Sequence, residues 1–347
     1  MNTFTIASTV VAIVLYQVAL AADGSTDWSY DDQLSWPGVC VDGKSQSPIS
    51  IQTAAIDQSV IINDITINHD VAHNVSIVIS GHGMGGIVDS DKYGFNITNV
   101  RGYEDDHFVL HHVHPHWGLS NYTGSEHLIE GKAYPLEMHF VHYNDKFNSL
   151  GEAKGQPGGL AVIGVLFEIG EANSEIAKFL DSILAGRSTV DSVDLTALMP
   201  VDASTMFYAY NGSLTTPTCD ENLLWHVAKT TMTVSEDQLE VLRGAVGPSG
   251  ELIAPNYREA QPLNDRKIYV TEGMKDDVNG YCSSLCDSIP SCNDSKYGSY
   301  CKSNGVCYGI YHSDDSYCFQ PTQYDTCDDS ILEPVECSYQ PDDHFTI

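Results

Sequence analysis

The chain has 347 residues, of which 16 are Lys or Arg and 47 are Asp or Glu, giving a formal net charge of −31. Hydrophobic residues make up 42% of the sequence, enough for a packed core, and the length allows two domains or one large domain with an appendage. So large a negative charge excludes nucleic acid as a partner, because nucleic acids are bound through Lys and Arg. It fits a soluble protein that meets cations, basic partners or mineral surfaces.

The first 22 residues are typical of a secretory signal peptide. They carry no charged side chain, and an apolar run from Val10 to Leu20 leads into the small-x-small cleavage pattern of residues 19–21. The alternative is an uncleaved anchor, since residues 4–22 form an uncharged stretch of 19 residues. The cleavage pattern favours secretion, and the acidic C-terminal end does not match a lipid-anchor signal. We therefore expect a secreted, extracellular protein with no stable membrane anchor.

Strand signals dominate the residues that follow the signal segment. Short apolar or alternating runs, rich in β-branched and aromatic residues, predict strands at 76–80, 108–116, 136–143, 160–169 and 224–234. One helix is predicted after Ser174, which can cap a segment with apolar residues on one face. A second helix is predicted to begin at the capping box of Ser235 and Gln238 and to end at Gly244. These elements indicate a large sheet with minor helices.

The cysteines indicate where the chain divides. Cys40 and Cys219 stand far apart, whereas the other eight cysteines fall between Cys282 and Cys337. An even number of cysteines in a secreted chain is typical of disulfide bonds. The sequence therefore predicts a large body at 23–275 and a small, acidic, Cys/Tyr-rich module at 276–347 that depends on disulfides in place of a core.

Histidines carry the chemistry of the body. Six of them crowd two predicted strands: His111, His112, His114 and His116 in the first, and His139 and His142 in the second. Because residues two apart in a strand face the same side, His114 and His116 project together, and His139 can join them if its strand is adjacent. Three neutral imidazoles suit a tetrahedral catalytic zinc whose fourth position holds water. A set of hydrogen-bonded sheet histidines is the alternative, and the spacing alone leaves both open.

Six motifs, in order along the chain, together resemble the alpha-class carbonic anhydrases over roughly residues 27–270. They are Gln46–Ile49, His114–Gly118, Gly124–His127, Glu137–His142, Ser213–Pro217 and Asn256–Leu263. The resemblance implies a mixed, mainly β fold with a large central, mostly antiparallel twisted sheet and a conical active-site cleft, and it makes 23–275 an alpha-carbonic anhydrase domain. It also implies zinc-dependent, reversible hydration of carbon dioxide to bicarbonate and a proton.

The resemblance implies roles for the residues that match its motifs. His114, His116 and His139 would ligate Zn²⁺, and Glu137 would orient the third imidazole. Thr215 would accept a hydrogen bond from zinc-bound hydroxide, and Glu126 would take the proton of the Thr215 hydroxyl. The other matches are Thr216 on the polar side of the cleft, Val141, Val162, Leu214 and Trp225 as the apolar wall that holds the substrate, and Cys40 with Cys219 as the disulfide of secreted members.

Proton transfer is where the sequence departs most from this family. Val71 stands where fast members carry a proton-shuttling histidine, and valine cannot carry a proton. His69 and His73 are the candidate proton shuttles, with His111 or His112 behind them, and the alternative is that these are ordinary surface histidines. We therefore predict an active enzyme of moderate turnover whose rate rises with added imidazole buffer.

Two further departures lie on the predicted strand 108–116. His112 stands where the family usually places a glutamine that orients the first ligand, so His112 can take that role only in the right tautomer. Pro115 removes an amide hydrogen from a predicted central strand and suggests a local bulge. Neither change removes a metal ligand, so we do not expect a catalytically silent relative.

Five Asn-x-Ser/Thr sequons are candidate glycosylation sites, at Asn74, Asn96, Asn121, Asn211 and Asn293. Asn74 aligns with a wall of the active site, and Asn211 lies just before the Thr215–Thr216 segment. Because a glycan at either would obstruct the cleft, we expect glycosylation at the other three.

The acidity allows a second class of function. Extracellular carboxylates attract calcium, an acidic carbonic anhydrase would supply bicarbonate where carbonate mineral forms, and exposed tyrosines of the C-terminal module could stack on sugars. The candidate partners of the tail are therefore extracellular matrix, carbohydrate and calcium. The alternative function is an acidic extracellular matrix, calcium- or carbohydrate-binding protein with weak or no catalysis, although acidity spread along a chain is more often a solubility feature.

Overall fold

A computed structural model describes residues 28–89 and 94–274, together with the backbone of 299–301, 307–313 and 316–321. The predicted signal peptide and most of the predicted C-terminal module lie outside the described residues. The chain divides into two units, Met1–Glu272 and Gly273–Ile347. Among the described residues, no helix is both long and apolar enough to cross a membrane.

Short strands make up most of the first unit. In chain order they are β1 (Ser50–Ile51), β2 (Ile56–Ile62), β3 (Thr66–Asn68), β4 (Val71–Ile79), β5 (Met84–Ile87), β6 (Asn96–Thr98), β7 (Phe108–Trp117), β8 (Leu128–Ile129), β9 (Leu136–Asn144), β10 (Leu160–Ile169), β11 (Thr189–Asp194), β12 (Phe207–Ser213), β13 (Glu221–Ala228), β14 (Met232–Val234) and β15 (Ile268–Thr271).

One large sheet takes up all the described strands of this unit except the β1–β8 pair. Ten strands lie side by side in the order β11-β4-β5-β7-β9-β10-β13-β12-β15-β2, with β14 beside β10 and β6 linking β3 to β7. Most neighbours are antiparallel, and β13 and β14 run parallel to β10 as β2 does to β15. The expected mainly β fold with a large, mostly antiparallel sheet is thereby confirmed.

The centre of the sheet is β7, β9 and β10, which the apolar and histidine-rich runs predicted. Met138 and Phe140 of β9 belong to the hydrophobic core, together with Phe108 and Val113 of β7. Since side chains alternate along a strand, His139 points to the opposite face from Met138 and Phe140. The core therefore lies on one side of these strands and the histidine cluster on the other.

The predicted strand 224–234 is interrupted after β13. The pairs Gly164–Val227 and Phe167–Met232 both join this segment to β10. Between them β10 advances three residues while the partner advances five, so the extra residues leave the ladder and separate β13 from β14.

Four α-helices lie wholly within the described residues of the first unit: α1 (Val39–Asp42), α2 (Leu150–Ala153), α3 (Ser174–Leu184) and α4 (Glu236–Arg243). The helix α4 has the predicted capping box of Ser235 and Gln238 and ends at Gly244. The predicted cap of α3 is wrong by one residue. Asn173, not Ser174, is the N-cap, and its Oδ1 accepts hydrogen bonds from the backbone N–H groups of Glu175 and Ile176.

The bulge expected at Pro115 lies elsewhere on β7. Pro115 stays in register opposite Met138 of β9, and the register shifts instead between Leu110 and His112. On its other side β7 pairs with β5 only through Val113 and His112. The ladder to β5 has therefore ended before Pro115, so the missing N–H costs no bond there.

The described strands of the second unit form a three-stranded antiparallel sheet of β16 (Ser299–Cys301), β17 (Cys307–Ser313) and β18 (Ser316–Pro321). Cys301 lies opposite Cys307 in the register, and Tyr311 lies opposite Cys318. The predicted disulfides and the role of the tyrosines depend on side chains outside the described residues, and they stay predictions.

Candidate metal centre

Three histidines come together where β7 and β9 pair. His114 lies directly opposite His139, and His116 follows two residues later on the same face of β7. One potential donor atom from each residue lies within 4.8 Å of the others. His116 and His139 are buried and His114 is half-buried. The strand alternation predicted from sequence thus brings the three imidazoles to one place.

The hydrogen bonds of two of these rings determine which nitrogens are free. The Nδ1–H of His116 donates to the carbonyl of Asn256 at 2.7 Å, and the Nε2 of His116 is buried with no hydrogen-bond partner among the described residues. The Nε2–H of His139 donates to Oε1 of Glu137 at 2.7 Å, which leaves a lone pair on Nδ1. Nitrogen lone pairs held in this way fit a metal ion, and an all-nitrogen donor set suits Zn²⁺.

Burial keeps these imidazoles neutral. Loss of water around the ring lowers the pKa of His116 to about 3, and burial likewise lowers the pKa of His114 and His139. A neutral imidazole is the form that binds a metal. The site is therefore ready to accept an ion without first losing protons at neutral pH.

Glu137 is the most heavily hydrogen-bonded carboxylate of the site. Its Oε1 accepts from His139 and from Nδ1 of His127, both at 2.7 Å. Its Oε2 accepts from the backbone N–H groups of Glu126 and His127 at 2.9 and 2.7 Å. Burial alone would raise the pKa of Glu137, but His127 and His139 outweigh it and hold the pKa well below its ordinary value. Glu137 thus stays ionised and fixes the ring of His139.

A buried chain of hydrogen bonds extends from Glu137 and was missed by the sequence reasoning. The Nε2 of His127 lies 2.7 Å from the Tyr210 hydroxyl, which lies 2.8 Å from Oγ of Ser47. His127 and Ser47 stand in motifs that carried the resemblance, which was the available signal. Tyr210 stands outside all of those motifs, and its strand β12 meets this site only through the fold.

The pKa of Glu126 is shifted in the opposite direction from that of Glu137. Burial, reinforced by the nearby charge of Glu137, raises the pKa of Glu126 well above its ordinary value. Its Oε1 accepts from the backbone N–H of Arg258 at 2.8 Å. The Thr215 hydroxyl faces the carboxylate and favours its ionised form, although Oε2 has no hydrogen bond of good geometry. The structure thus brings Thr215 and Glu126 together beside the histidines.

The expected apolar wall lies on neighbouring strands. Val141 of β9 is opposite Val162 of β10, which in turn is opposite Trp225 of β13. All three are buried, and the Trp225 ring lies 4.8 Å from that of His139. Leu214 is half-buried immediately before Thr215. Three adjacent strands therefore place an apolar surface beside the histidine cluster.

A cavity of about 380 Å³ opens in front of the cluster. Its lining includes His114, His116, Thr216 and Asn256, with Trp28 and Tyr30 from the N-terminal segment, His82 from the β4–β5 turn, and His111 and His112 from β7. No Asp, Glu, Lys or Arg is among the described residues that line it.

His69 does not face this cavity. Its Nε2 lies 3.0 Å from Nε2 of His142, and its ring stacks on Phe140. Both partners lie on the core face of β9, opposite His139, and His69 is 8% exposed. Burial lowers the pKa of His69 to about 4. The prediction that His69 carries protons to solvent is therefore wrong, because the ring is packed behind the sheet.

The other predicted shuttles and the predicted orienting residue also differ from expectation. His73 is exposed on β4 and is not part of the cavity lining, so it is no longer the favoured shuttle. Nδ1 of His112 lies 2.8 Å from Nδ1 of His111, and the His112 ring stacks on that of His114 at 5.0 Å. His114 Nδ1 has no hydrogen-bond partner among the described residues. His112 therefore contacts the first histidine by stacking and does not orient it by a hydrogen bond.

The sequon asparagines differ in exposure, and which of them are glycosylated stays a prediction. Asn74 and Asn211 are exposed, and Asn74 is not part of the cavity lining. Asn96 and Asn121 are half-buried, and their side-chain N–H groups donate to Gly94 and Glu236, respectively. Asn293 lies outside the described residues.

The predicted long-range disulfide is confirmed. Cys40 in α1 is bonded to Cys219, 179 residues later, which follows the Thr215–Thr216 segment. The bond packs with Trp36, Trp28 and Tyr30 in a small apolar cluster. It ties the segment that bears Thr215 to the N-terminal part of the unit.

The large sheet, the three histidines that could hold a metal ion and the adjoining apolar wall fit an enzyme with a single zinc site. Residues 23–272 match the family model of the eukaryotic-type carbonic anhydrases. The chain is also 34% identical over 260 residues to Carbonic anhydrase 1 of Mus musculus, an alignment that covers 70% of this chain and 98% of that protein. The chain belongs to the carbonic anhydrase family. It is a carbonate hydro-lyase of a zinc-dependent family that acts on carbon dioxide and bicarbonate.

Proposed function

We propose that this protein is a secreted carbonic anhydrase whose zinc is held by His114, His116 and His139. The observation that supports this most strongly is the orientation of two of the rings. Asn256 accepts a hydrogen bond from Nδ1 of His116, and Glu137 accepts one from Nε2 of His139. The other nitrogen of each ring keeps its lone pair and lies close to a nitrogen of His114. When bound there, Zn²⁺ supplies a Lewis acid that lowers the pKa of water to about 7.

Thr215 and Glu126 orient the attacking oxygen in this proposal. Burial and Glu137 oppose ionisation of Glu126, whereas its contacts with Thr215 and Arg258 favour the ionised form. In that form the carboxylate would accept a hydrogen bond from the Thr215 hydroxyl, and the threonine oxygen could then only accept a further hydrogen bond. Thr215 would thereby orient the O–H of the attacking oxygen. Arg258 supports the arrangement by donating its backbone N–H to Glu126.

The substrate is held by shape more than by polar contacts. Carbon dioxide has no net dipole, so the apolar surface of Val141, Val162 and Trp225 is sufficient to keep it beside the cluster. Thr216 lines the cavity on the polar side, where bicarbonate leaves. Weak binding of both molecules favours rapid release of product.

Replacement of Thr215 tests the assigned roles. We expect Thr215→Ala to lower the hydration rate about 10²-fold, the scale expected when a positioning group is lost, with zinc content unchanged. Thr215→Ser should recover much of the rate because it restores the hydroxyl. Thr189→Ala on the edge strand β11 is the matched control. Full activity in Thr215→Ala would contradict the assigned role.

Secretion is supported by the uncharged N-terminal segment with its cleavage pattern and by the Cys40–Cys219 disulfide, which suits an oxidising compartment. Expression in a secretory cell line tests it. The protein should appear in the medium with Ala22 or Asp23 as its first residue, whereas retention in the membrane fraction with an intact N-terminus would contradict it.

A role in supplying bicarbonate to extracellular carbonate mineral is the second part of the proposal. The net charge of −31 supports it, because an acidic surface attracts calcium. The competing function is an acidic matrix, calcium- or carbohydrate-binding protein. Binding to calcium carbonate that persists after zinc removal favours a matrix function, and faster mineral growth only with zinc-loaded protein favours bicarbonate supply.

A further inference from the structure

Each hydration of carbon dioxide releases one proton, which must leave the cavity before the next turnover. The inference drawn from this requirement rests on the proposed function. Val71 carries no proton, and His69 is packed behind the sheet. The proton-carrying group must therefore be sought among the residues that line the cavity.

Few lining residues can take up a proton near neutral pH. Burial raises the pKa of Tyr30 well above its ordinary value, so its hydroxyl stays protonated. His111 and His112 already bond to each other through their Nδ1 atoms, 2.8 Å apart. His114 and His116 belong to the metal cluster. Of the histidines in the described lining, this leaves His82.

His82 occupies the turn between β4 and β5, on a different element from the metal cluster. Its ring lies 3.7 Å from the Trp28 ring at an interplanar angle of 10°, and Tyr30 packs edge-on at 6.5 Å. Its backbone N–H donates to Oγ of Ser80 at 3.2 Å. The half-buried imidazole is thus held at the cavity wall by stacking on one face.

The hydrogen bond of the ring sets its tautomer. Nε2 of His82 lies 2.8 Å from the backbone carbonyl of Trp28, and a carbonyl can only accept, so Nε2 carries the hydrogen. In the neutral ring Nδ1 then has the free lone pair. A protonated imidazole would keep the Nε2 bond and gain a favourable contact with the Trp28 π-face.

We propose that His82 is the proton-relay residue of this enzyme. The proton released when water adds to carbon dioxide passes through water in the cavity to Nδ1 of His82, giving an imidazolium. The imidazolium then transfers that proton to a buffer base and returns to the neutral tautomer. Among the described residues, the His82 ring contacts Trp28 and Tyr30 and its backbone N–H bonds to Ser80, and none of these three side chains is charged.

The test compares His82→Ala with wild-type full-length protein at equal zinc content. In dilute buffer without imidazole, kcat for hydration should fall by about 10²-fold, the lower end of the contribution of a positioned acid–base group. The ratio kcat/KM should stay unchanged, because it does not include the proton-exit step. Added imidazole should restore kcat. His107→Ala is the control, since His107 is exposed beside Asp145 and is not part of the cavity lining.

Two further readouts test the relay, one by isolating the chemical step and the other by checking the starting tautomer of His82. Interconversion of carbon dioxide and bicarbonate at chemical equilibrium, followed by the exchange of ¹⁸O between these two species, should proceed at the wild-type rate in His82→Ala, because it needs no proton transfer to solvent. Release of ¹⁸O into water should slow, because the labelled hydroxide must take up a proton to leave. In ¹⁵N NMR spectra of the wild-type chain, the His82 imidazole should carry its hydrogen on Nε2 at high pH.

Each outcome decides a separate point. If zinc-loaded wild-type protein shows no equilibrium exchange, the proposed function fails. The relay proposal is overturned if equilibrium exchange is normal but the kcat of His82→Ala does not fall. It is also overturned if His73→Ala or His111→Ala, and not His82→Ala, loses kcat that imidazole restores.

Discussion

Replacement of Glu137 by glutamine tests how the third histidine is held. Each carboxylate oxygen of Glu137 accepts two hydrogen bonds, Oε1 from the rings of His127 and His139 and Oε2 from two backbone N–H groups. A glutamine must therefore turn its NH₂ group towards two donors in either orientation. With NH₂ in the place of Oε2, two fixed backbone donors lose their acceptor, at about 1–3 kcal/mol each.

The other orientation is easier, since an imidazole can change tautomer. With NH₂ in the place of Oε1, His139 becomes an acceptor at Nε2 and carries its hydrogen on Nδ1 instead. That hydrogen occupies the lone pair that we assign to zinc. Loss of such an orienting partner typically weakens metal binding 10–100-fold, or about 1.4–2.8 kcal/mol.

The assay is a zinc titration of metal-free protein against a chromophoric chelator. We expect the Kd of Glu137→Gln to rise by at least tenfold, whereas Glu168→Gln, an exposed carboxylate on β10, should match the wild type. A Kd within twofold of the wild type, in a variant that is folded by circular dichroism, would refute the tautomer argument.

Three other predictions concern stability and fit. Burial lowers the pKa of His226 from 6.5 to about 4, so the unfolded chain takes up a proton at a higher pH than the folded chain does. The contribution of His226 to the free energy of unfolding is therefore complete above pH 6.5 and falls by about 3 kcal/mol as the pH is lowered towards 4. Urea titrations should show His226→Gln losing less stability than the wild type over this range, and equal losses would contradict the prediction. Reduction of the Cys40–Cys219 bond, which closes a loop of 179 residues, should lower the free energy of unfolding by up to about 5 kcal/mol, and an unchanged urea midpoint would count against this. A methyl group on Gly164 would lie 3.1 Å from Oε1 of Glu137. Gly164→Ala should therefore displace the carboxylate that orients His139 and weaken zinc binding in the same chelator assay. Wild-type zinc affinity would show that Glu137 can move without loss of this role.

The metal cluster could be predicted because its geometry is local. Strand alternation places His114 and His116 on one face, and the run that contains His139 is apolar enough to be the neighbouring strand. The same local reasoning located the cap of α4 at Ser235. It missed the cap of α3 by one residue, because Asn173 and Ser174 are both good caps and only the backbone decides between them.

Contacts between segments that are distant in the sequence could not be predicted from local patterns. His69 and His73 are close in sequence to Val71, yet one lies behind the sheet and the other outside the cavity. His82 reaches the cavity only because the β4–β5 turn meets the N-terminal segment at Trp28, 54 residues away. In the same way Tyr210 of β12 meets His127, 83 residues earlier in the chain, through a contact that no local pattern encodes.

The central claim is that hydration of carbon dioxide depends on one zinc held by the three histidines. It is tested most directly by stopped-flow hydration assays on the full-length chain, stripped of metal and titrated with zinc, with metal content measured on the same samples. We predict that activity rises linearly with added zinc, reaches its maximum at one zinc per chain and is abolished by a sulfonamide. Hydration that persists without zinc, or one tightly bound zinc per chain with no hydration, would contradict it.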